Sequence, residues 1–213
     1  MIIDPKFPIR EQMLKEGFDP IFTFDLDFGN KAYKFACDCA ATNKDKYARR
    51  GQINISNIVD QIRTGKIVEE MTYQKLKNYL PNLSEPDWNI YDRKNKNWDA
   101  DLSDQTTNPI TKIGVKSQRA NVGESVGVSW VFEFRAGKNY DVDTGVFGKE
   151  AKQPGHYIAF SSIDFPKKSG QIHAILAVST LHELQLFEQV QIERLRDNKV
   201  AVYLKTIKER LQK

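Results

Sequence analysis

The sequence predicts a mixed α/β fold, one domain in which helices flank a sheet. Three observations carry that reading. Stretches 30–50 and 55–80 place apolar residues at helical spacing. Short extended segments punctuated by turn residues follow them. The 213 residues are 40% apolar, enough to bury a core. The order of helices, strands and helices then fits one layered domain, with its core at 55–180 and helical additions at both ends.

Residues 1–29 read as irregular, because Pro5, Pro8, Pro20 and Gly29 interrupt every pattern. In 30–50, Ala32, Phe35, Ala36, Cys39 and Ala40 share a helical face. Lys44, Lys46, Arg49 and Arg50 close that stretch. Cations suit a helix C-terminus, and they equally suit a phosphate. From 55 to 80 the pattern is helical again, with a break expected at Gly65 and an end at Pro81. Val68, Met71, Leu76, Tyr79 and Leu80 form its apolar stripe. A turn of about 100° per residue puts Glu69 beside that stripe and Glu70 nearly opposite, in solvent.

"DWNIY" at 87–91, "NWDADL" at 97–102 and "TKIGVKSQ" at 111–118 suggest a meander of three strands. Gly123 and Gly127 mark 119–127 as a loop, and "VSWVFEF" at 128–134 reads as another strand. Residues 135–155 look like a surface excursion. "HYIAFSSI" at 156–163 and "QIHAILAV" at 171–178 read as two more strands. The tail, 181–213, reads as mostly helical with a short strand at "KVAVYL".

Lys and Arg total 32 against 28 Asp and Glu. That mild excess admits a polyanion partner without demanding one. Cys37 and Cys39 stand too close for a relaxed disulfide and too few for a zinc site. The N-terminal stretch carries charges where a signal peptide needs an apolar core, and no apolar run reaches membrane-spanning length. A cytoplasmic protein with no membrane partner is expected. "HEL" at 182–184 has no second histidine at helical spacing, and His156, His173 and His182 are scattered. Neither a glycine-rich nucleotide loop nor a serine nucleophile elbow occurs.

Chemistry is concentrated in 98–118, "WDADLSDQTTNPITKIGVKSQ". Lysine is seldom fully buried without a partner, yet Lys116 sits in an apolar run. If 97–102 and 111–117 are neighbouring strands, alternation puts Asp99 and Asp101 on one face, and Lys116 shares its face with Gly114 and Gln118. One register brings Asp101 opposite Gly114 and Lys116, with Glu69 approaching from the packed helix. Such a group suits metal-assisted phosphodiester hydrolysis. Carboxylates hold Mg²⁺, and a lysine stabilises the charge that develops on phosphate. The plainer account is a cross-strand ion pair of Lys116 with Asp101 or Asp99.

These residues resemble the PD-(D/E)XK nuclease superfamily, which includes many type II restriction enzymes. "GKIVEEMTYQKL" at 65–76 is similar to its first core helix, with Glu69 in the place of the family glutamate. "DADL" at 99–102 resembles the aspartate strand, and "IGVKSQ" at 113–118 the lysine strand. The likeness covers residues 55–135; a likeness to small restriction enzymes of the ThaI kind is not placed residue by residue. It implies a restriction-endonuclease-like fold with a mixed central sheet flanked by helices. It also implies catalytic Asp101, Lys116 and Glu69, and a metal held by Asp101, Glu69 and the main-chain carbonyl of Val115. The metal would be Mg²⁺, for which Mn²⁺ can substitute. The substrate would be double-stranded DNA, cut by a homodimer. Gly114 departs from the pattern, because an acid is expected two positions before the lysine. Glu69, Glu124 and Glu133 are candidates to replace it. A literal "PD" at Pro86–Asp87 is the rival to Asp101.

Arg49, Arg50, Arg63, Lys66, Gln118 and Arg119 are the expected DNA contacts, and the loop at 135–155 the expected reader of bases. The leading expectation is a type II restriction endonuclease. The alternatives are a nuclease-like protein that binds nucleic acid without cutting, and a nuclease for junctions or flaps.

Overall fold

The computed structural model describes residues 1–49, 52–91, 100–135 and 142–211. The chain is mixed α/β, with a mixed central sheet flanked by helices. Its strands are β1 (Ile2–Ile3), β2 (Ile21–Thr23), β3 (Leu102–Asp104), β4 (Thr111–Arg119), β5 (Ser129–Glu133), β6 (His156–Asp164), β7 (Ser169–Ala177), β8 (Glu188–Gln189) and β9 (Lys199–Tyr203). Its helices are α1 (Arg10–Lys15), α2 (Leu26–Thr42), α3 (Lys44–Arg49), α4 (Ile55–Leu76), α5 (Ala120–Val126), α6 (Thr144–Phe147), α7 (Val178–Glu183) and α8 (Leu204–Leu211).

The central sheet runs β1-β7-β6-β4-β3, with β2 also on β7. β4 is antiparallel to β3 and parallel to β6, and β6 and β7 form an antiparallel hairpin. β5, β9 and β8 make a second, antiparallel sheet.

Alternation along the central strands divides the core in two. Ile113, Ala159, Ile172 and Ile175 pack with Ile67, Val68 and Leu76 of α4. Ile158, Phe160, Ala174 and Leu176 pack on the other side with Trp130, Phe132, Val202 and Ile207. The indole N–H of Trp130, itself 2% exposed, donates to the Ser161 carbonyl at 2.8 Å. That bond ties the second sheet to a register shift in β6 between Phe160 and Ser161. Ala36 and Ala40 of α2 let that helix close on Ile58 and Val59 of α4.

α4 starts where the Asn54 side chain accepts from the Asn57 N–H at 3.1 Å, a sound N-cap. It runs through Gly65 without a break and stops at Leu76, five residues before Pro81. Packed faces on both sides of Gly65 hold the helix through it. Glu70 is half-buried rather than solvated: its side chain accepts from Gln74 at 2.8 Å and from the Trp88 indole at 3.4 Å.

Other expectations change. Residues 1–29 hold β1, β2, α1 and the start of α2, all but the last too short to show a period. Residues 87–91 are irregular, because the Asp87 carboxylate takes the Asn89 N–H at 2.9 Å and turns the chain. Of the expected strand at 97–102, residues 97–99 lie outside those described, and β3 begins at Leu102. The expected loop at 119–127 contains α5 and ends at Gly127 with φ 78°. The strand at 128–134 forms as β5, but in the second sheet. Both expected strands at 156–178 form, as does the one at 199–204, whereas the tail around β9 is less helical than expected. No helix among the described residues is long and apolar enough to cross a membrane.

Candidate active site

The site forms where β3 stops and β4 continues. Register pairs Leu102 with Ile113 and ends there, leaving the edge of β4 beyond Ile113 without a strand partner among the described residues. Asp101 stands one residue outside the ladder. Its carboxylate Oδ2 accepts from the Val115 N–H at 2.6 Å, the place a strand partner's carbonyl would take. Burial pushes the Asp101 carboxyl above its usual range. The Val115 N–H and the charges of Lys116 and Lys66 pull it back, and Asp143 pushes it up again.

Val115 faces the α4 side of the sheet, so Gly114 and Lys116 face the second sheet. There they line a cleft of about 480 Å³ with Asp101, Glu133, Asp143 and Lys199. The Lys116 ammonium lies 2.7 Å from Asp143 Oδ2 and 4.8 Å from the centre of the Phe132 ring. Asp143 occupies the N-cap of α6 without using its side chain as a cap, and its backbone N–H donates to the Glu133 carbonyl at 2.8 Å. The carboxylate is thus left for Lys116. Glu133 and Lys199 pair at 3.6 Å on β5 and β9. His156 also lines the cleft.

Glu69 lies across the sheet, on α4. It is held by Lys66 at 2.9 Å; Lys66 is buried and Glu69 largely so, 8% and 14% exposed. Burial pushes the Glu69 carboxyl up to about 7; Lys66 lowers it, and the charge of Asp101 raises it. Lys66 also donates to the Asp87 carbonyl at 2.6 Å and lies 5.2 Å from the centre of the Trp88 ring.

Asp101 and Lys116 thus meet at one cleft, but Lys116 pairs with Asp143 and not with Asp101. Asp99 lies outside the described residues. Glu69 senses Asp101 electrostatically without lining the cleft. Glu133 does line it, and the Glu124 side chain is outside those described. Asp143 is the acid that sequence reasoning missed. Its one signal is an aspartate ahead of Thr-Gly, a helix-start pattern. Asp87, the rival in "PD", is used up in the turn with Asn89 and in a 2.6 Å bond from the Tyr91 hydroxyl.

The expected DNA contacts are dispersed. Lys66 is buried on Glu69. The Gln118 side chain is spent on Gly127 and Ser129, donating at 3.3 Å and accepting at 3.1 Å. Arg119 pairs with Asp60 at 3.0 Å. The Arg63 guanidinium packs over Tyr33 and Phe165, 5.5 and 4.9 Å from the ring centres. Its buried Nε has no partner among the described residues. The Arg49 side chain and all of Arg50 lie outside the described residues.

Among the described residues, no three acidic, histidine or cysteine side chains close on one point to enclose an ion. Mg²⁺ does not need such a cage; one or two carboxylates with water and phosphate suffice. Asp101 is pushed up by burial and by Asp143, and Glu69 by burial and by Asp101. A divalent cation would relieve that repulsion, so the donor set fits Mg²⁺ held chiefly by Asp101.

No family model, curated protein or solved structure matches the chain.

Proposed function

We propose that the chain is a Mg²⁺-dependent endonuclease for double-stranded DNA, of the PD-(D/E)XK kind and acting as a type II restriction enzyme. The observation that carries this reading is the meeting of Asp101, Lys116 and Asp143 at one cleft. The antiparallel and parallel neighbours of β4 support it, because they set the aspartate at the edge of the lysine strand.

Asp101 would hold the cation, with Glu69, whose carboxyl feels the Asp101 charge from α4, as the candidate to complete the shell; the Val115 N–H fixes the aspartate's direction. When bound, Mg²⁺ supplies an activated water and neutralises charge on the phosphate. Lys116 stabilises the charge gained by the phosphoryl oxygens as water bonds to phosphorus and the ester oxygen departs. Asp143 and the Phe132 ring hold the ammonium over the cleft in the meantime. Lys112 and Lys199 line the same cleft, Lys199 paired with Glu133, so among the described residues the three lysines there balance its three acids, and a bound cation would leave it attractive to a polyanion. Two copies would cut the two strands at a symmetric site.

The test is cleavage of plasmid DNA with Mg²⁺, with EDTA, and with the Lys116→Ala protein. Cutting should require the metal and fall by about 10² or more in Lys116→Ala. The melting temperature should move little, since a partly exposed ion pair contributes about 0–1 kcal/mol. Undiminished cutting by Lys116→Ala would overturn the assignment.

Gly114 and the closed Lys116–Asp143 pair favour a second reading, a protein that binds nucleic acid without cutting. Binding with no cleavage under Mg²⁺ or Mn²⁺ would select it. Cleavage confined to branched DNA would instead mark a junction or flap nuclease.

A further inference from the structure

A second cavity, of about 510 Å³, adjoins the cleft. Val131 lines both, and β4 passes from one to the other: Lys116 faces the cleft, and Ser117 to Arg119 border the cavity. The two compartments differ in chemistry. The cleft is lined by Asp101, Asp143, Glu133 and several lysines. The cavity has one charged lining residue among those described, Arg119, and Asp60 pairs with it at 3.0 Å. Its surface is otherwise apolar or neutral, with exposed primary amides at Asn57, Gln61 and Gln191. Asn57 and Gln61 stand four apart on α4, so they share a face, and Gln191 reaches in from the segment before β9. Among the described residues these three side chains make no hydrogen bond of their own.

We infer that this cavity is a nucleobase pocket, which takes an unstacked base of the strand whose phosphate lies in the cleft. A primary amide carries a donor and an acceptor side by side and matches the paired edge of a heterocycle. It has no charge with which to hold a phosphate. Apolar walls, here Val131 and Ile192, suit the faces of the ring. A polynucleotide alternates a charged link with a neutral planar group, as the two compartments do. The volume falls within the ~300–1,000 Å³ usual for small-ligand sites. The inference rests on the nuclease reading for the strand's position but not for the binding of a base.

The experiment is saturation-transfer NMR of the intact protein with each of the four deoxynucleoside 5′-monophosphates, with ribose 5-phosphate as the probe lacking a base. Saturation should fall mainly on base protons for at least one nucleotide and be absent for ribose 5-phosphate. A Gln61→Leu/Gln191→Leu protein should bind that nucleotide about tenfold or more weakly. Both side chains are exposed, and an unchanged melting temperature would confirm that the variant is folded. Lys116→Ala should keep the base-proton signal while losing plasmid cleavage, which separates this pocket from the hydrolytic site. No transfer from any nucleotide, or transfer indifferent to the two amides, would overturn the inference. So would a changed sedimentation coefficient in the double variant with no change in nucleotide binding, which marks the cavity as a contact between copies. If plasmid cleavage is absent but base binding follows the amides, the nuclease reading fails and the pocket stands.

Discussion

A side chain at position 114 would first meet Ile158. A Cβ placed there lies 2.9 Å from Ile158 Cδ1 and 3.9 Å from Asp101 Oδ2. Glycine therefore makes room for the isoleucine tip, with the aspartate at ordinary contact distance, while Asp143 brings a carboxylate to Lys116 from across the cleft. Placing an acid there by Gly114→Glu should cost about 1–3 kcal/mol by overpacking. Adding Ile158→Val removes the crowded methyl and should return part of that loss, as chemical denaturation would measure. Equal stability of the single and double variants would refute the steric account. That Asp101 and Lys116 meet at one cleft was legible in the sequence because one short turn joins their segments, although Asp101 stands outside the ladder that alternation assumed and reaches β4 through its side chain. Asp143 was not: it lies 27 positions beyond Lys116, and tertiary packing joins them. The same limit applies to Lys66 and Gln118, whose polar ends look available in sequence and are consumed by Glu69, Gly127 and Ser129.

At the scale of elements, α4 was legible in its stripe of Val68, Met71 and Leu76 but not in its continuity. Gly65 suggests a break by propensity, and packing overrides it. A Cβ at Gly65 meets nothing within 4 Å, so Gly65→Ala should stabilise the protein by about 0.5–1 kcal/mol. A thermal melt would register a rise of a few degrees, and a fall would mean that the glycine is needed for a reason other than space. The β6–β7 hairpin was readable because long buried strands leave an apolar run bounded by turn residues. β1, β2 and β8 were not, since two or three residues carry no period. Residues 87–91 alternate like a strand, yet the Asp87 side chain competes for the backbone and bends it.

For the whole molecule, the acids around Asp101 link stability to pH and to cations. The folded Glu69 carboxyl is raised from 4.5 to about 7, so the folded chain keeps a proton that the unfolded chain releases. That contribution is full below about 4.5 and is lost as pH rises toward about 7. Glu69→Gln should flatten this part of the stability profile, by an amount on the order of 3 kcal/mol, in melts across the range. Mg²⁺ should raise the melting temperature of the wild type more near pH 8 than near pH 5, because protons then no longer compete for the carboxylates. An equal effect at both would count against a cation at these acids. The Trp130 bond to Ser161 has a mechanical corollary. An indole fastened across two layers opposes their sliding at that point, by about 1 kcal/mol for the bond itself. On the proposed nuclease reading, a duplex entering between the layers would work against that tie as well as against its own stiffness.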